Sequence, residues 1–192
     1  MTTAGSIPLA LNDRFIRGRV GAEVGLVIGA SAIIAIAAQI AIPVPFSPVP
    51  LTMQPLAVLM VGIALGSRRG GAAAALYLIE GLSGLPVFAQ GHGGPVWLIG
   101  MTAGYLWSYP FAAWLAGWFS ERGWGSNVLR SVCGMLAALA VIYAMGWSWL
   151  GVLTGPRAAL AMGIAPFILA DAVKVAIGAA LLPYAQKLVA RL

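Results

Sequence analysis

The sequence predicts an all-α integral membrane protein of six transmembrane helices with both termini cytoplasmic, a single membrane domain over residues 1–192. Three observations predict it. Hydrophobic residues make up 61% of the chain and charged residues 8%, against roughly 25% charged residues in a soluble domain, and the mean hydropathy is +0.95. The apolar residues fall in runs of about 20, the length that crosses a bilayer, broken by short segments rich in Arg, Pro and Gly. The basic residues gather in alternate breaks, as the positive-inside bias requires.

The elements follow in order. Residues 1–20 form a polar cytoplasmic segment with Asp13, Arg14, Arg17 and Arg19. The first span, 21–42, exceeds the roughly 7 to 15 apolar residues of a signal peptide, so it is retained. Pro43, Pro45, Pro48 and Pro50 then fix backbone angles and remove amide donors, which excludes helix and predicts a stiff loop. The second span, 51–65, stops at Gly66-Ser67-Arg68-Arg69-Gly70, and the third covers 71–88. After the glycine-rich turn Gln90-Gly91-His92-Gly93-Gly94, the fourth span covers 96–119 and the fifth 127–150. Residues 153–165 read as a re-entrant or interfacial segment, and the sixth span starts at Pro166, which a first helical turn tolerates, and runs to 182.

An even number of spans puts Arg14, Arg17, Arg19, Arg68, Arg69, Arg122, Arg130, Lys187 and Arg191 on one side, nine of the eleven basic residues. That side is the cytoplasm. The Pro-rich loop, the QGHGG turn and the 151–165 segment then face outward together. Irregular backbone at membrane depth is tolerated only around a protein-lined or watery cavity, so these elements predict an outward pocket. Phe46, Phe88, Trp97, Trp147 and Trp149 cluster toward the same face, as pocket walls or as an interfacial aromatic belt.

Composition excludes several functions. The net charge of +6 is dispersed, unlike a nucleic-acid face. One cysteine, Cys133, and one histidine, His92, allow neither an internal disulfide nor a multi-histidine metal site, and no metal or cofactor is expected. The QGHGG turn lacks the Gly-Lys-Ser/Thr ending of a nucleotide loop, so the chain carries no ATP site. Glu80, Asp171 and His92 fall on separate segments with no nucleophile-and-base motif, so no enzyme is expected.

The sharpest signal is Asp171-Ala172-Val173-Lys174. At i and i+3 the two charges share a helix face, and each costs about 2.5 to 3.5 kcal/mol near a span centre. Such a pair is either a self-neutralising bridge or a ligand site, with Lys174 for an anionic group and Asp171 for N–H donors. Glu80, near the middle of the third span, has no partner identifiable from sequence. Thr52 and Gln54 cap the second span or line the pocket.

Ala38-Gln39-Ile40-Ala41-Ile42-Pro43-Val44-Pro45-Phe46-Ser47-Pro48-Val49-Pro50-Leu51-Thr52-Met53-Gln54, Gly66-Ser67-Arg68-Arg69-Gly70, Leu85-Pro86-Val87-Phe88, Thr102-Ala103-Gly104-Tyr105 and Pro166-Phe167-Ile168-Leu169-Ala170-Asp171-Ala172-Val173-Lys174 closely resemble the BioY family. Those are the biotin-specific substrate-binding subunits of energy-coupling factor transporters, and the resemblance runs over about 28–186. It implies a six-helix subunit of the bacterial plasma membrane that binds biotin at its outer side without a cofactor. A transmembrane coupling subunit and two cytoplasmic ATPases would be its partners. The substrate-binding residues implied are Asp171, Lys174, Gln90, Phe46, Phe88 and Tyr105. Glu80 departs from the family pattern, where an apolar residue is expected. Gly21, Gly25, Gly29 and Ala32 form a small-residue stripe, placed against the coupling subunit or packed internally. A stand-alone biotin carrier and a thiamine or riboflavin subunit are the alternative functions.

Overall fold

The computed structural model describes residues 20–124 and 127–189. The expected cytoplasmic segment with Arg14, Arg17 and Arg19, together with Arg191 and the side chain of Lys187, lies outside the described residues. Helix α1 (Val20–Gln39) leads into a Pro-rich loop whose ends pair as a short antiparallel ladder, β1 (Ala41–Ile42) with β2 (Leu51–Thr52). The prolines exclude helix as expected, and the ladder forms just outside them, where amide donors remain.

Helix α2 (Gln54–Leu82) spans both the second and third expected segments, but Gly66 breaks it at φ 80°, ψ 175°. The two arms fold back on each other. Gln54 and Tyr77 would be about 35 Å apart in a straight helix, yet Gln54 Nε2 donates to the Tyr77 hydroxyl at 2.6 Å. Only glycine adopts that φ without penalty. Glycine also serves opposite the turn, where a Cβ on Gly117 would sit 2.4 Å from the Ser67 nitrogen. Glu121 closes the hairpin by accepting from the Ser67 amide at 2.7 Å and its hydroxyl at 2.9 Å.

Two 3₁₀ turns, Ala89–Gly91 and Pro95–Leu98, occupy the next connection. Helix α3 (Ala103–Glu121) therefore starts seven residues after the expected 96, because Gly94, Pro95 and Gly100 keep the preceding chain out of a helix. Helix α4 (Val128–Thr154) is capped by Asn127, whose Oδ1 accepts from the amides of Leu129 and Arg130. The expected re-entrant segment is the short helix α5 (Pro156–Gly163), and α6 (Ile168–Val189) follows at a bend of 49°.

By length and composition alone, three helices among the described residues, α1, α2 and α4, are long and apolar enough to cross a membrane, and α5 with α6 form a bent fourth candidate. Large side chains such as Val20, Ile36, Phe111, Leu129, Val152 and Leu169 face outward, as a lipid solvent permits and water does not. The core between the helices holds Ile34, Leu59, Tyr77, Phe88, Met135 and Ile142. Glu80 lies in the last turn of α2, not mid-span, because the helix ends at Leu82. Its partner is the buried Ser31, whose hydroxyl donates to Glu80 Oε2.

Candidate functional site

One end of the bundle gathers the irregular chain: the Pro-rich loop, the 83–102 connection and α5. Between them, the ends of α2, α3 and α6 and the middle of α4 is a cavity of about 870 Å³, counting its open mouth.

The Asp171–Lys174 pair forms its polar wall. Asp171 sits in the first turn of α6 and is 4% exposed; Lys174, one turn on, has a side chain 12% exposed. The Lys174 ammonium donates to Asp171 Oδ1 at 2.7 Å and to the Thr52 carbonyl at 2.7 Å. Tyr143 on α4 donates its hydroxyl to Asp171 Oδ2 at 2.7 Å. An ammonium has three N–H groups and a carboxylate accepts about four hydrogen bonds. Lys174 therefore keeps one free donor, and each Asp171 oxygen keeps a free acceptor site.

Apolar rings and prolines make up much of the remaining wall. Phe88 is fully buried, edge-on to Tyr77 with centroids 5.5 Å apart. Tyr105 is oriented by its hydroxyl, which donates to the Gly163 carbonyl at 2.8 Å. His92 stacks on Trp97 at 4.0 Å. Ser47 donates to the Met162 carbonyl at 2.7 Å, tying the Pro-rich loop to α5 across the cavity rim.

Of the six site residues expected from sequence, Asp171, Lys174, Gln90, Phe88 and Tyr105 line this cavity. Phe46 does not. In the Pro-rich loop it is 64% exposed, and the loop reaches the cavity wall only from Pro48 onward. Trp147 and Trp149 are also peripheral, with indole N–H groups donating to the carbonyls of Pro156 and Gly100. Thr52 does both things expected of it, its Oγ1 accepting from the Gln54 amide while it lines the cavity; Gln54 lines the cavity, but its side chain bonds Tyr77 and caps no amide.

Gln39, Tyr109 and Tyr143 were missed as individual site residues. Gln39, at the end of α1, donates from Nε2 to the Phe88 carbonyl at 3.2 Å and accepts the Gly91 amide on Oε1 at 2.9 Å. It spans the loop in which Gln90 adopts φ 62°. Tyr143 stands 28 residues before Asp171 in sequence, so no local spacing marks the pair.

The sequence profile of the BioY family matches residues 14–191. The chain belongs to the BioY family. Among BioY relatives, a probable biotin transporter of Pyrococcus horikoshii is 37% identical over 154 residues, covering 80% of this chain and 90% of that protein. The biotin transporter of Rhizobium etli is 35% identical, covering 71% and 77%, and that of Rhodobacter capsulatus 38% identical, covering 77% and 84%. These BioY proteins are named as transporters, not enzymes. In fold the chain resembles the S-component for biotin from an ECF-type ABC transporter, known from a crystal structure, with a TM-score of 0.79, 23% identity and coverage of 92% and 94%.

Proposed function

We propose that this BioY chain is the high-affinity biotin-binding subunit of a vitamin importer, a multi-pass protein of the bacterial plasma membrane that captures biotin at its outer face. ATP-driven import then requires a coupling transmembrane subunit and two cytoplasmic ATPases, since the chain has no nucleotide motif of its own. Both termini are cytoplasmic, and α1, the two arms of α2, α3, α4 and α6 are the six crossings. The two α2 arms, 54–65 and 67–82, are shorter than the roughly 20 residues of an ordinary span, which leaves room above them for the cavity.

The observation that carries this reading is a buried ion pair with open valences in a cavity walled largely by rings, prolines and aliphatic side chains. Biotin has the matching parts: a cyclic urea with two N–H groups and one carbonyl, an apolar bicycle with a thioether, and an apolar chain ending in a carboxylate. Lys174 and Asp171 touch each other, so they meet one end of the ligand together. A urea offers an acceptor and a donor on adjacent atoms, which suits the remaining N–H of Lys174 and the remaining acceptor sites of Asp171. The bicycle and chain then contact Phe88, Tyr105 and Trp97, and the carboxylate emerges by Gln90 at the mouth.

Titration calorimetry on the purified chain should give tight biotin binding near one per chain. Tight binding of thiamine or riboflavin, with none of biotin, would refute the assignment.

A further inference from the structure

Two polar groups of buried residues in the cavity wall have no hydrogen-bond partner among the described residues. Tyr109 lines the cavity and is 4% exposed. Its hydroxyl makes no hydrogen bond among the described residues, whereas those of Tyr77, Tyr105 and Tyr143 each make one. Gln54 also lines the cavity and is 4% exposed. Its Nε2 is used by Tyr77 at 2.6 Å, and its Oε1 accepts from nothing among the described residues. No fully enclosed side-chain nitrogen or oxygen among the described residues lacks a partner. The Tyr109 hydroxyl and Gln54 Oε1 therefore open onto the cavity that both residues line. An unpaired buried polar group destabilises the fold, so a site for a purely apolar ligand would favour Phe and Leu or Met at these positions.

Both residues neighbour Tyr77, and Gln54 also stands beside one of the ion pair's supports. Tyr109 follows Tyr105 by one turn on the same face of α3, with its ring centroid 6.4 Å from that of Tyr77. Gln54 opens α2 two residues after Thr52, whose carbonyl accepts from Lys174. The cavity thus offers two donors, Lys174 N–H and Tyr109 O–H, and two acceptors, Asp171 and Gln54 Oε1.

We propose that Tyr109 and Gln54 complete, with Lys174 and Asp171, a four-point recognition set for a cyclic urea. Tyr109 and Lys174 donate to the urea carbonyl, while Asp171 and Gln54 each accept one of its N–H groups. This rests on reading the cavity as a biotin site and adds two specificity-determining residues to it. The pattern selects the urea against a cyclic thiourea, whose sulfur is a weak acceptor, with both N–H groups kept.

The test is calorimetry of the full chain in detergent against biotin and 2-thiobiotin, with Tyr109→Phe and Gln54→Met. Wild type should bind biotin more tightly than the thione. Tyr109→Phe should weaken biotin roughly 3- to 10-fold and the thione much less, because the lost donor served the carbonyl. Gln54→Met should weaken both ligands alike, because both retain the N–H groups. Unchanged biotin affinity in either variant overturns that residue's role, and equal penalties for biotin and thione in Tyr109→Phe overturn the carbonyl contact. Should a variant fail to fold, equal wild-type affinities for biotin and the thione overturn the proposal without it. Failure of wild type to bind biotin at all would instead refute the underlying assignment of the site.

Discussion

Lys174 and Asp171 are best understood through what each still lacks. Lys174 has one N–H left after Asp171 and Thr52 take two, and removing it leaves Asp171 buried with only Tyr143. Lys174→Met should weaken biotin by about 1.5 to 3 kcal/mol, roughly 10- to 150-fold, and by the same factor for biotin amide, since the pair meets the urea end. A penalty that shrinks for the amide, again by calorimetry, would return Lys174 to the carboxylate, the role its charge alone suggests. Breaking one partner of a buried pair also costs stability, about 3 to 5 kcal/mol, so thermal midpoints of the apo protein should fall in Lys174→Met and recover in Asp171→Asn/Lys174→Met. At this scale the sequence was informative wherever chemistry is costly in a membrane: a charged i, i+3 pair in an apolar run has few explanations. It was silent where the cost is met from a distance. Ser31 and Tyr143 look like ordinary helix residues until Glu80 and Asp171 are brought to them.

Between residues and the bundle, loops gain their shape from the helices they leave. The 87–92 connection forms one wall of the cavity, and Gln39 holds it by bonds to the Val87 and Phe88 carbonyls and the Gly91 amide. Its own ladder is a single bridge, Phe88 with His92. Gln39→Ala removes those bonds, each worth about 0.5 to 1.5 kcal/mol, so amides 88–92 should exchange hydrogen faster while those of α3 keep their rate. Biotin affinity should fall several-fold through faster release, and unchanged exchange would show that the loop stands without the clamp. Prolines and glycines made the irregular segments readable as a group, because they exclude helix wherever they cluster. Element ends were less readable. Pro55 opens α2 and Pro110 lies within α3, so proline marks no single boundary, and the hairpin at Gly66 depends on Gly117 and Glu121, 51 and 55 residues away.

The whole molecule is uneven in how it buries its helices. Only 17% of the most apolar window of α1 is buried, against 56% for α2, and α1 is joined to its neighbours by polar ties at Glu23 with Arg69, Ser31 with Glu80, and Gln39 with the 87–91 loop. Gly21, Gly25 and Gly29 lie along its open side: a Cβ built on any of them meets no atom of the described residues within 4 Å. Small residues that pack against nothing among the described residues leave room for another helix to approach closely, so the coupling subunit and internal packing, two uses the sequence left equal because spacing alone cannot tell a face that packs from one that waits, call for a direct test. Gly25→Leu separates them. The larger side chain points into open space, so the isolated chain should keep its thermal midpoint and its biotin affinity. If the stripe meets the coupling subunit, the same change should abolish co-purification with that subunit and ATP-dependent biotin uptake, while liposomes holding the chain alone take up none in either form. Uptake retained by Gly25→Leu in the full complex would remove α1 from the docking face, and biotin flux through the chain alone would make it a stand-alone carrier.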